Sequence, residues 1–387
     1  MNVTLIAHIS SGEDRGDASE IRTKFIKKGL EEEGFNFRVL SYHSSEKVTK
    51  SPNFKSFFFI NNSSRVINYL LRLFWAPFLI FIELFKERHN IGNIMVDRLP
   101  IYVSLPVSFF SLIFGKKIIL IINEFPSSLI NSKRVSFKNY IDDISIKLIG
   151  FFVRKLIVIS SEHELVYKRY VSKKAEIIII PILMSSNEIY TPVSLERKQK
   201  KITYAGAISR SNGIEVLIEA AKLLYDNEIP YIMTIIGPSI SKNYIDEIKF
   251  KINRLGISEK IEILPATSND NAIRILRNSD ILVIPKIKDQ RAVGYIPSKL
   301  GDFLYTGRPV ICTNVGDVPK YISHGENGFL VEPDSAVAIY EAIKKLLKNY
   351  EAFDKVGLEG IKVANKFDYR AQSKALKSFI IDIFHDN

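Results

Sequence analysis

Short apolar runs alternate with helical patterns along the whole chain. The first run, residues 3–9, precedes a polar loop and then apolar positions at helical spacing from Ile21 to Leu30. A run at 37–40 resumes as a strand, and this strand–helix–strand opening predicts a parallel sheet covered on both faces. Later runs in the first half that predict buried parallel strands are 94–96, 118–122, 156–159 and 177–180.

A second strand–helix series follows a polar stretch. Residues 186–200 hold serine, asparagine and proline before a basic run, and this composition predicts a linker. The strands predicted beyond it are 202–205, 231–236, 261–264, 281–284, 309–312 and 329–331, with helices at 214–225, 269–277 and 297–305. This is an α/β pattern.

The predicted organisation is therefore two α/β domains in series. We place the first at residues 1–185 and the second at 201–365, and we expect the helix in 366–387 to return to the first domain. A chain of 387 residues is longer than one hydrophobic core usually serves, and 46% hydrophobic with 25% charged residues is a globular composition.

The formal net charge of +12 favours anionic partners such as phosphates or anionic lipid. Nucleic acid is the least favoured anionic partner, because the sequence has no zinc-finger spacing, aromatic RNA-binding signature or basic tail. The only cysteine, Cys312, lies in an apolar run, which predicts a buried thiol and fits a reducing, cytoplasmic compartment.

Two apolar segments of the first half carry basic flanks. The longer, 73–85, contains Pro77 and Glu83 and is shorter than the roughly 20 residues that a membrane-spanning helix needs. The second, 105–114, is followed by Lys116 and Lys117. Two interpretations stay open: helices that lie on an anionic membrane surface, or ordinary buried helices. The basic residues flanking the longer segment are Arg65, Arg72, Lys86 and Arg88.

Ligands of open parallel sheets bind beyond the carboxyl ends of the strands, so the loops there are the candidate sites. The first loop contains Gly12 and Gly16, which permit tight turns, and Asp17 with Glu20 has the spacing of a helix N-cap and its third residue. This loop is either a substrate loop or a plain connection. In the second half, Gly206 and the Asn212–Gly213 pair bracket the corresponding loop.

Three further groups of side chains are candidates for chemistry. Arg210 is the one cation of the loop 206–213, where a diphosphate would also meet backbone N–H groups and a helix end. Lys299 and Asp302 have the spacing for phosphate and ribose contacts, although spacing alone favours a surface ion pair. Glu124, just after a predicted strand, is either a contact to a sugar hydroxyl or a structural carboxylate. The histidines show no metal-binding spacing, so we expect no metal site.

The ordered pieces of the second half resemble glycosyltransferase family 4, a retaining family with the glycosyltransferase B fold, in which two Rossmann-like domains face each other across a cleft. The residues that carry this resemblance are 202–206 with 213–214, 235–238, 261–265, 280–285, 297–304 with 307–311, 313–316 and 327–331.

The resemblance implies a metal-independent transfer from a nucleotide-diphosphate sugar, with UDP- or GDP-sugars favoured, to a saccharide or polyprenyl-linked acceptor in bacterial surface polysaccharide assembly. No other cofactor is implied, and the enzyme would be cytoplasmic, on the inner face of the membrane. The implied donor-site residues are Gly206, Arg210, Asn212, Gly213, Gly237, Pro265, Gly294, Ser298, Lys299 and Asp302. The implied acceptor-side residues are Gly12, Gly16, Asp17, Asn123 and Glu124, and the catalytic set is Glu124, Arg210 and Lys299.

The sequence departs from this family at several positions. Gly294 stands where many members have a glutamate against the donor sugar, Ala207 where they have a loop arginine, and Ser211 or Asn212 where they have a loop lysine. The Asn123–Glu124 pair falls near the place of an acceptor-side histidine in many members. Two alternatives therefore stay open: a catalytically inactive member that acts as a binding or scaffold subunit, and a sugar-nucleotide epimerase on the same fold.

Overall fold

The computed structural model describes residues 1–9, 17–42, 53–56, 65–97, 100–126, 137–186, 199–239, 241–348 and 350–384, without the side chains of 55–56, 65–72, 137–139, 291 and 350–354. The chain separates into two compact units, one of Met1–Leu183 with Tyr369–Asn387 and the other of Met184–Asp368. Residues 187–198 of the predicted linker lie outside the described part of the chain.

The two units repeat one alternation of strands and helices. The elements of the first are β1 Asn2–Ala7, α1 Ala18–Glu32, β2 Asn36–Ser41, β3 Phe54–Ser56, α2 Arg65–Lys86, β4 Asn93–Asp97, α3 Ile101–Phe114, β5 Ile118–Ile121, α4 Phe137–Gly150, β6 Val153–Val158, α5 Ser161–Tyr167 and β7 Glu176–Ile179. The second contains β8 Lys200–Ala205, α6 Ile214–Asp226, β9 Tyr231–Ile236, α7 Lys242–Arg254, β10 Ile261–Leu264, α8 Asn269–Arg277, β11 Ile281–Ile284, α9 Leu300–Tyr305, β12 Val310–Thr313, β13 Phe329–Val331, α10 Ala336–Lys348 and α11 Tyr350–Ala364. The chain then closes with α12 Tyr369–Ile380.

Both sheets are parallel throughout their described strands. The order in the first is β3-β2-β1-β4-β5-β6-β7, and the order in the second is β10-β9-β8-β11-β12-β13. Every residue of β4, β5, β11 and β12 is buried, which explains why these strands read as continuous apolar runs in the sequence. In each sheet the strand order reverses beside the first strand, so β1 and β4 flank one switch point and β8 and β11 flank the other.

Helices cover both faces of the first sheet. Buried side chains of α2, α3 and α4 pack on one face, where Ile80, Val107 and Ile149 meet strand residues. On the opposite face, Ile26 of α1 and Leu376 of α12 belong to a second core cluster. The last helix therefore packs on the first unit.

Helix α1 begins where the sequence predicts. The Asp17 carboxylate accepts a hydrogen bond from the Glu20 amide at 2.9 Å, and the helix ends before Gly34, whose φ is +92°. The predicted helix 297–305 is shorter than expected, because residues 297–299 form a turn in which the Leu300 amide donates to the Pro297 carbonyl.

The close approach of α12 to α1 depends on Gly29. An added Cβ there would lie 1.7 Å from Ser373 Oγ and 2.8 Å from Ser373 Cβ. We expect Gly29→Ala to lower the free energy of unfolding by about 1–3 kcal/mol through overpacking, although alanine itself favours helix by about 1 kcal/mol. Urea unfolding followed by the fluorescence of Trp75, the one tryptophan of the chain, measures this in the first unit.

A Ser373→Gly background supplies the control. There the cost of Gly29→Ala should largely disappear, because the colliding side chain is gone. An equal cost in both backgrounds would show that the two helices do not pack as described.

Candidate functional site

The loop after β8 lies at the switch point of the second sheet and is built by close backbone approaches. Gly213, with φ +73°, would place an added Cβ 1.7 Å from the carbonyl oxygen of Pro285, the residue that follows β11. Gly237 after β9 has φ +151°, and a Cβ there would lie 1.9 Å from the Gly206 carbonyl oxygen. Only glycine fits at these two positions, so the chain is drawn tightly together at the carboxyl ends of three neighbouring strands.

Hydrogen bonds from side chains and backbone amides fix the rest of this loop. The Tyr204 hydroxyl and the Asn212 amide both donate to the Ala207 carbonyl, at 2.8 and 2.7 Å. The Gly206 amide donates to the Ile236 carbonyl at 2.9 Å, and the Ile208 amide to the Pro238 carbonyl at 2.8 Å. Burial raises the pKa of Tyr204, so its hydroxyl stays a neutral donor at physiological pH. Asn212 thus shapes the loop from within.

Arg210 points to carboxylates. Its guanidinium donates to Glu215 Oε1 at 3.0 Å and to Glu247, and it lies 5.1 Å from the ring centre of Tyr244. The Arg210 side chain is 64% exposed, so these ion pairs are screened by solvent. An anion bound in the loop would therefore compete with two carboxylates for this guanidinium.

Lys299 and Asp302 form an ion pair at 3.0 Å, the alternative that spacing alone favoured. Lys299 Nζ also lies 3.3 Å from the side-chain oxygen of Asn269, the first residue of α8. The pair is thereby tied to the segment after β10, which begins with the exposed Pro265. Ser298, beside Lys299, is exposed as well.

Gly294 lies in a segment that packs on the loop after β12. It is buried with φ +59°, and the amide of Asp317 donates to the carbonyl of the next residue, Tyr295, at 3.1 Å. Gly316 completes the contact, because an added Cβ there would lie 2.4 Å from the backbone N and O of Tyr295. The positive φ at Gly294 disfavours the glutamate found in many family 4 members.

Sequence reasoning missed Lys286. This lysine comes two residues after β11, its side chain is 3% exposed, and its Nζ lies 3.3 Å from Asp289 and 5.3 Å from the ring centre of Tyr295. Thr313 donates to its backbone carbonyl at 2.7 Å. A charged residue directly after a buried strand and a proline was the signal that could have identified it, since buried lysines are rare unless paired.

A buried polar cluster occupies the switch point of the first sheet. The Asp97 carboxylate, at the end of β4, accepts from Asn123 Nδ2 at 2.8 Å and from the Thr23 hydroxyl at 2.9 Å. The hydroxyl of Tyr42 donates to the Asp97 backbone carbonyl at 2.9 Å. The predicted site residue Asn123 is thus held at the strand ends by a carboxylate that sequence reasoning did not single out.

Arg22 of α1 closes this cluster from the other side. Its buried guanidinium donates to Asn123 Oδ1 and to the carbonyls of Val158, Ile180 and Pro181. Burial lowers the pKa of Arg22 to about 10 and Asp97 opposes the shift, so the side chain is charged at neutral pH. One guanidinium thereby joins α1 to the ends of three strands.

Two of the other predicted acceptor-side residues, Glu124 and Asp17, lie in the described part of the chain. Glu124 is exposed, and its backbone carbonyl accepts from the Tyr167 hydroxyl at 2.8 Å. Asp17 caps α1. Gly12 and Gly16 lie outside the residues that the structure describes. Within the described ranges, no group of three or more His, Cys, Asp and Glu side chains is arranged to hold a metal ion. Cys312 is buried, as predicted, and burial raises its pKa.

The Arg22 cluster predicts a large effect of one substitution. Arg22→Leu leaves Asp97 buried without its cation and several carbonyls without donors, so we expect a loss of about 3–5 kcal/mol in the free energy of unfolding. Arg169→Leu, at an exposed position of the same unit, should cost less than about 0.5 kcal/mol. Urea unfolding monitored by Trp75 compares the two, and equal effects would contradict a structural role for the buried guanidinium.

Comparison with known proteins points to one family. The model of the family "Glycosyl transferases group 1" matches residues 186–363. A D-inositol 3-phosphate glycosyltransferase of Corynebacterium glutamicum is 25% identical over 186 residues, or 47% of this chain and 43% of the relative. The capsular polysaccharide biosynthesis glycosyltransferase CapM of Staphylococcus aureus is 27% identical over 178 residues, or 46% and 44%. The matched region spans less than half the length of these relatives.

Solved structures share the fold over the whole chain. A sucrose-phosphate synthase of Thermosynechococcus elongatus superimposes with a TM-score of 0.77 at 16% identity, covering 100% of both chains. HepE of Anabaena, solved in complex with UDP and glucose, gives 0.73 at 13% identity over 99% of this chain and 100% of its own. The chain therefore has two Rossmann-like domains of the glycosyltransferase B type, as predicted. Residues 186–363 are similar to the glycosyl transferases group 1 family.

Proposed function

We propose that the protein transfers a sugar from a nucleotide-diphosphate sugar to a saccharide or lipid-linked acceptor. The observation that carries the proposal is the close backbone packing at the second switch point, where Gly213 and Gly237 bring strand ends too close for any side chain. The family match over residues 186–363 covers this switch point, and switch-point crevices are where open α/β sheets bind nucleotides.

The donor diphosphate in this proposal lies on the N–H groups of loop 206–213 and beside Lys299. Charge builds up on the leaving nucleotide in the transition state, so fixed donors and cations there lower the barrier electrostatically. Arg210 joins them by exchanging Glu215 and Glu247 for phosphate oxygens. Buried Lys286, one residue beyond the Gly213 contact at Pro285, adds positive charge behind the loop. With these cations, transfer without a metal ion is part of the proposal, and it is tested by activity in the presence of EDTA.

Asp302 is the proposed acceptor of the ribose hydroxyls. One carboxylate oxygen of Asp302 accepts a hydrogen bond from Lys299 Nζ at 3.0 Å. A carboxylate has about four lone-pair positions, so it can accept from vicinal hydroxyls while it keeps the lysine oriented. Ser298 and the neighbourhood of Gly294 and Pro265 complete the proposed donor site.

The acceptor side is assigned to the first unit. Exposed Glu124 follows Asn123, whose side chain is immobilised between Arg22 and Asp97. A carboxylate next to so rigid a support is suited to orient a sugar hydroxyl. The loop with Gly12, Gly16 and Asp17 is proposed to contribute to the same acceptor site. The proposal also includes retention of anomeric configuration and UDP or GDP as the nucleotide. It further includes a role at the cytoplasmic face in surface polysaccharide assembly, which the similarity to CapM supports.

Nucleotide binding gives the direct test. In calorimetry against UDP, GDP, ADP, CMP and their common sugars, we expect one diphosphate nucleotide to bind and Asp302→Ala to weaken it by about tenfold or more, a loss of ~1.4 kcal/mol or more. Asp226→Ala is the matched control, because Asp226 forms a comparable helical ion pair with Lys222 away from the strand ends. Its affinity should equal that of the parent protein.

The other outcomes separate the two alternatives. Absence of binding across the panel would favour an inactive scaffold subunit, a reading that the Arg210 carboxylate contacts and the glycine at 294 support. Conversion of the free sugar nucleotide to its epimer, without acceptor, would instead identify an epimerase. A transferase releases nucleotide in proportion to the glycosylated acceptor that it forms.

A further inference from the structure

Three helices form the outer layer on one face of the first sheet. The helices α2, α3 and α4 each bury one row of side chains on the strands, with Ile80, Val107 and Ile149 among them. In a protein that is covered by water alone, the opposite row of each helix would be polar. On α2 and α3 the opposite rows are apolar as well, and α4 exposes Tyr140 and Ile144.

The outward row of α2 is aromatic and aliphatic. Its exposed members follow a helical spacing and include Trp75, which is 56% exposed. The exposed large apolar residues of this helix are Phe74, Trp75, Phe78, Leu79 and Phe85. Between them, Ala76, Ile80 and Leu84 point to the core. The helix is therefore apolar on two sides, which explains why the sequence allowed both a buried and a membrane-surface interpretation.

The outward row of α3 joins that of α2. Its exposed residues are Leu105, Phe109, Leu112 and Ile113. The ring of Phe81 in α2 lies 5.4 Å from that of Phe109, and the ring of Phe85 lies 6.0 Å from that of Phe114. These contacts make the two rows one continuous surface, which we call the outer apolar face.

Helix α4 flanks α3 on its other side, where Ser104 and Ser145 share a hydrogen bond at 2.5 Å. Its outward positions Tyr140 and Ile144 are exposed, and Phe151 directly after the helix is 76% exposed. Among the described residues, more than half of the exposed large apolar side chains lie on these three helices. A concentration of this kind marks an interaction surface, because soluble monomers rarely leave large apolar patches open.

Basic residues border the outer apolar face at one end. The Phe85–Phe114 contact shows that α2 and α3 end side by side, which brings Lys86 and Arg88 near Lys116 and Lys117. The Arg88 guanidinium lies 4.6 Å from the ring centre of Phe85.

The acidic residues of the same helices are largely withdrawn from solvent. Glu87, just after α2, pairs with Arg38, and Glu83 is buried. Asp142 and Asp143 of α4 are partly buried and engaged in contacts. The border next to Phe85 and Phe114, where Lys86 is exposed and Arg88, Lys116 and Lys117 are partly exposed, is therefore positive.

We propose that the outer apolar face docks on an anionic lipid bilayer, with its aromatic and aliphatic side chains at headgroup depth and the basic border on the lipid phosphates. The side chains decide against a protein partner. Of the nine exposed large apolar residues on α2 and α3, Trp75 alone carries a hydrogen-bonding group, whereas protein interfaces usually contain a hydrogen bond every 100–200 Å². A protein surface that binds an anionic bilayer needs apolar area, aromatic rings and cations, but no hydrogen-bonding groups within the apolar area.

This docking is peripheral. None of the helices in the described part of the chain is both long and apolar enough to cross a membrane. The proposal does not depend on the proposed sugar transfer, because it rests on side chains of the first unit alone. A chain that binds no nucleotide would still bind the bilayer.

The single tryptophan of the chain, Trp75, is a native reporter on this surface. We expect the emission of Trp75 in the full chain to shift to shorter wavelength with vesicles of equal parts phosphatidylcholine and phosphatidylglycerol. Brominated lipid should quench it. Phosphatidylcholine alone should give a weaker response, and Lys86→Glu with Lys116→Glu should abolish the preference for the anionic vesicles.

Matched surface variants separate docking from a general effect of hydrophobicity. Phe109→Ser with Leu112→Ser leaves α2 and Trp75 unchanged and should lower vesicle partitioning by about tenfold or more. Phe250→Ser with Val337→Ser alters residues that are 67% and 60% exposed in the second unit and should leave partitioning unchanged. Circular dichroism confirms that both variants fold.

Two outcomes would overturn the proposal. One is Trp75 emission that stays constant up to saturating vesicle concentrations. The other is a blue shift that needs no lipid and grows with protein concentration, since this would show that a second copy of the chain covers the face.

Discussion

The structure depends on the reversal of strand order in a fully parallel sheet. At each reversal the chain leaves neighbouring strands in opposite directions, and a gap opens at their carboxyl ends. In the second unit, backbone closes on this gap through Gly213 against Pro285 and Gly237 against Gly206. These approaches dictate glycine at both positions and hold loop 206–213 in place.

The first unit meets the same constraint with side chains. Arg22 and Asp97 are buried at its reversal point, where partly buried Asn123 is hydrogen-bonded to both. Burying a charge is favourable only when every partner is in place, so this cluster demands that α1 and the strand ends keep one arrangement. The strand ends that this cluster holds rigid support the exposed Glu124, which follows Asn123. The two halves thus combine rigid strand ends with accessible groups beside them.

Much of the fold could be predicted because buried parallel strands leave a strong signal. The runs at 231–236, 261–264, 281–284 and 329–331 coincide with the observed strands. The short β3 and α5 were missed, since three and seven residues carry too little pattern, and the longer α7 was missed as well. At the sites, Arg22 and Lys286 were missed for another reason. A buried charge looks like a surface charge in a sequence, and only tertiary contacts distinguish the two. The pairing of Lys299 with Asp302 followed from helical spacing alone, whereas Arg210 pairs with Glu247 across helices that no local pattern connects.

The central claim is that the crevice around loop 206–213 binds the diphosphate of a nucleotide sugar. Amide hydrogen exchange with and without saturating nucleotide tests it most directly, because it locates the bound anion on the backbone. The account predicts slower exchange at the amides of 207–214 and in the segment 298–302, with the outer apolar face unchanged. Exchange that slows elsewhere while loop 206–213 stays as in the free protein would contradict it.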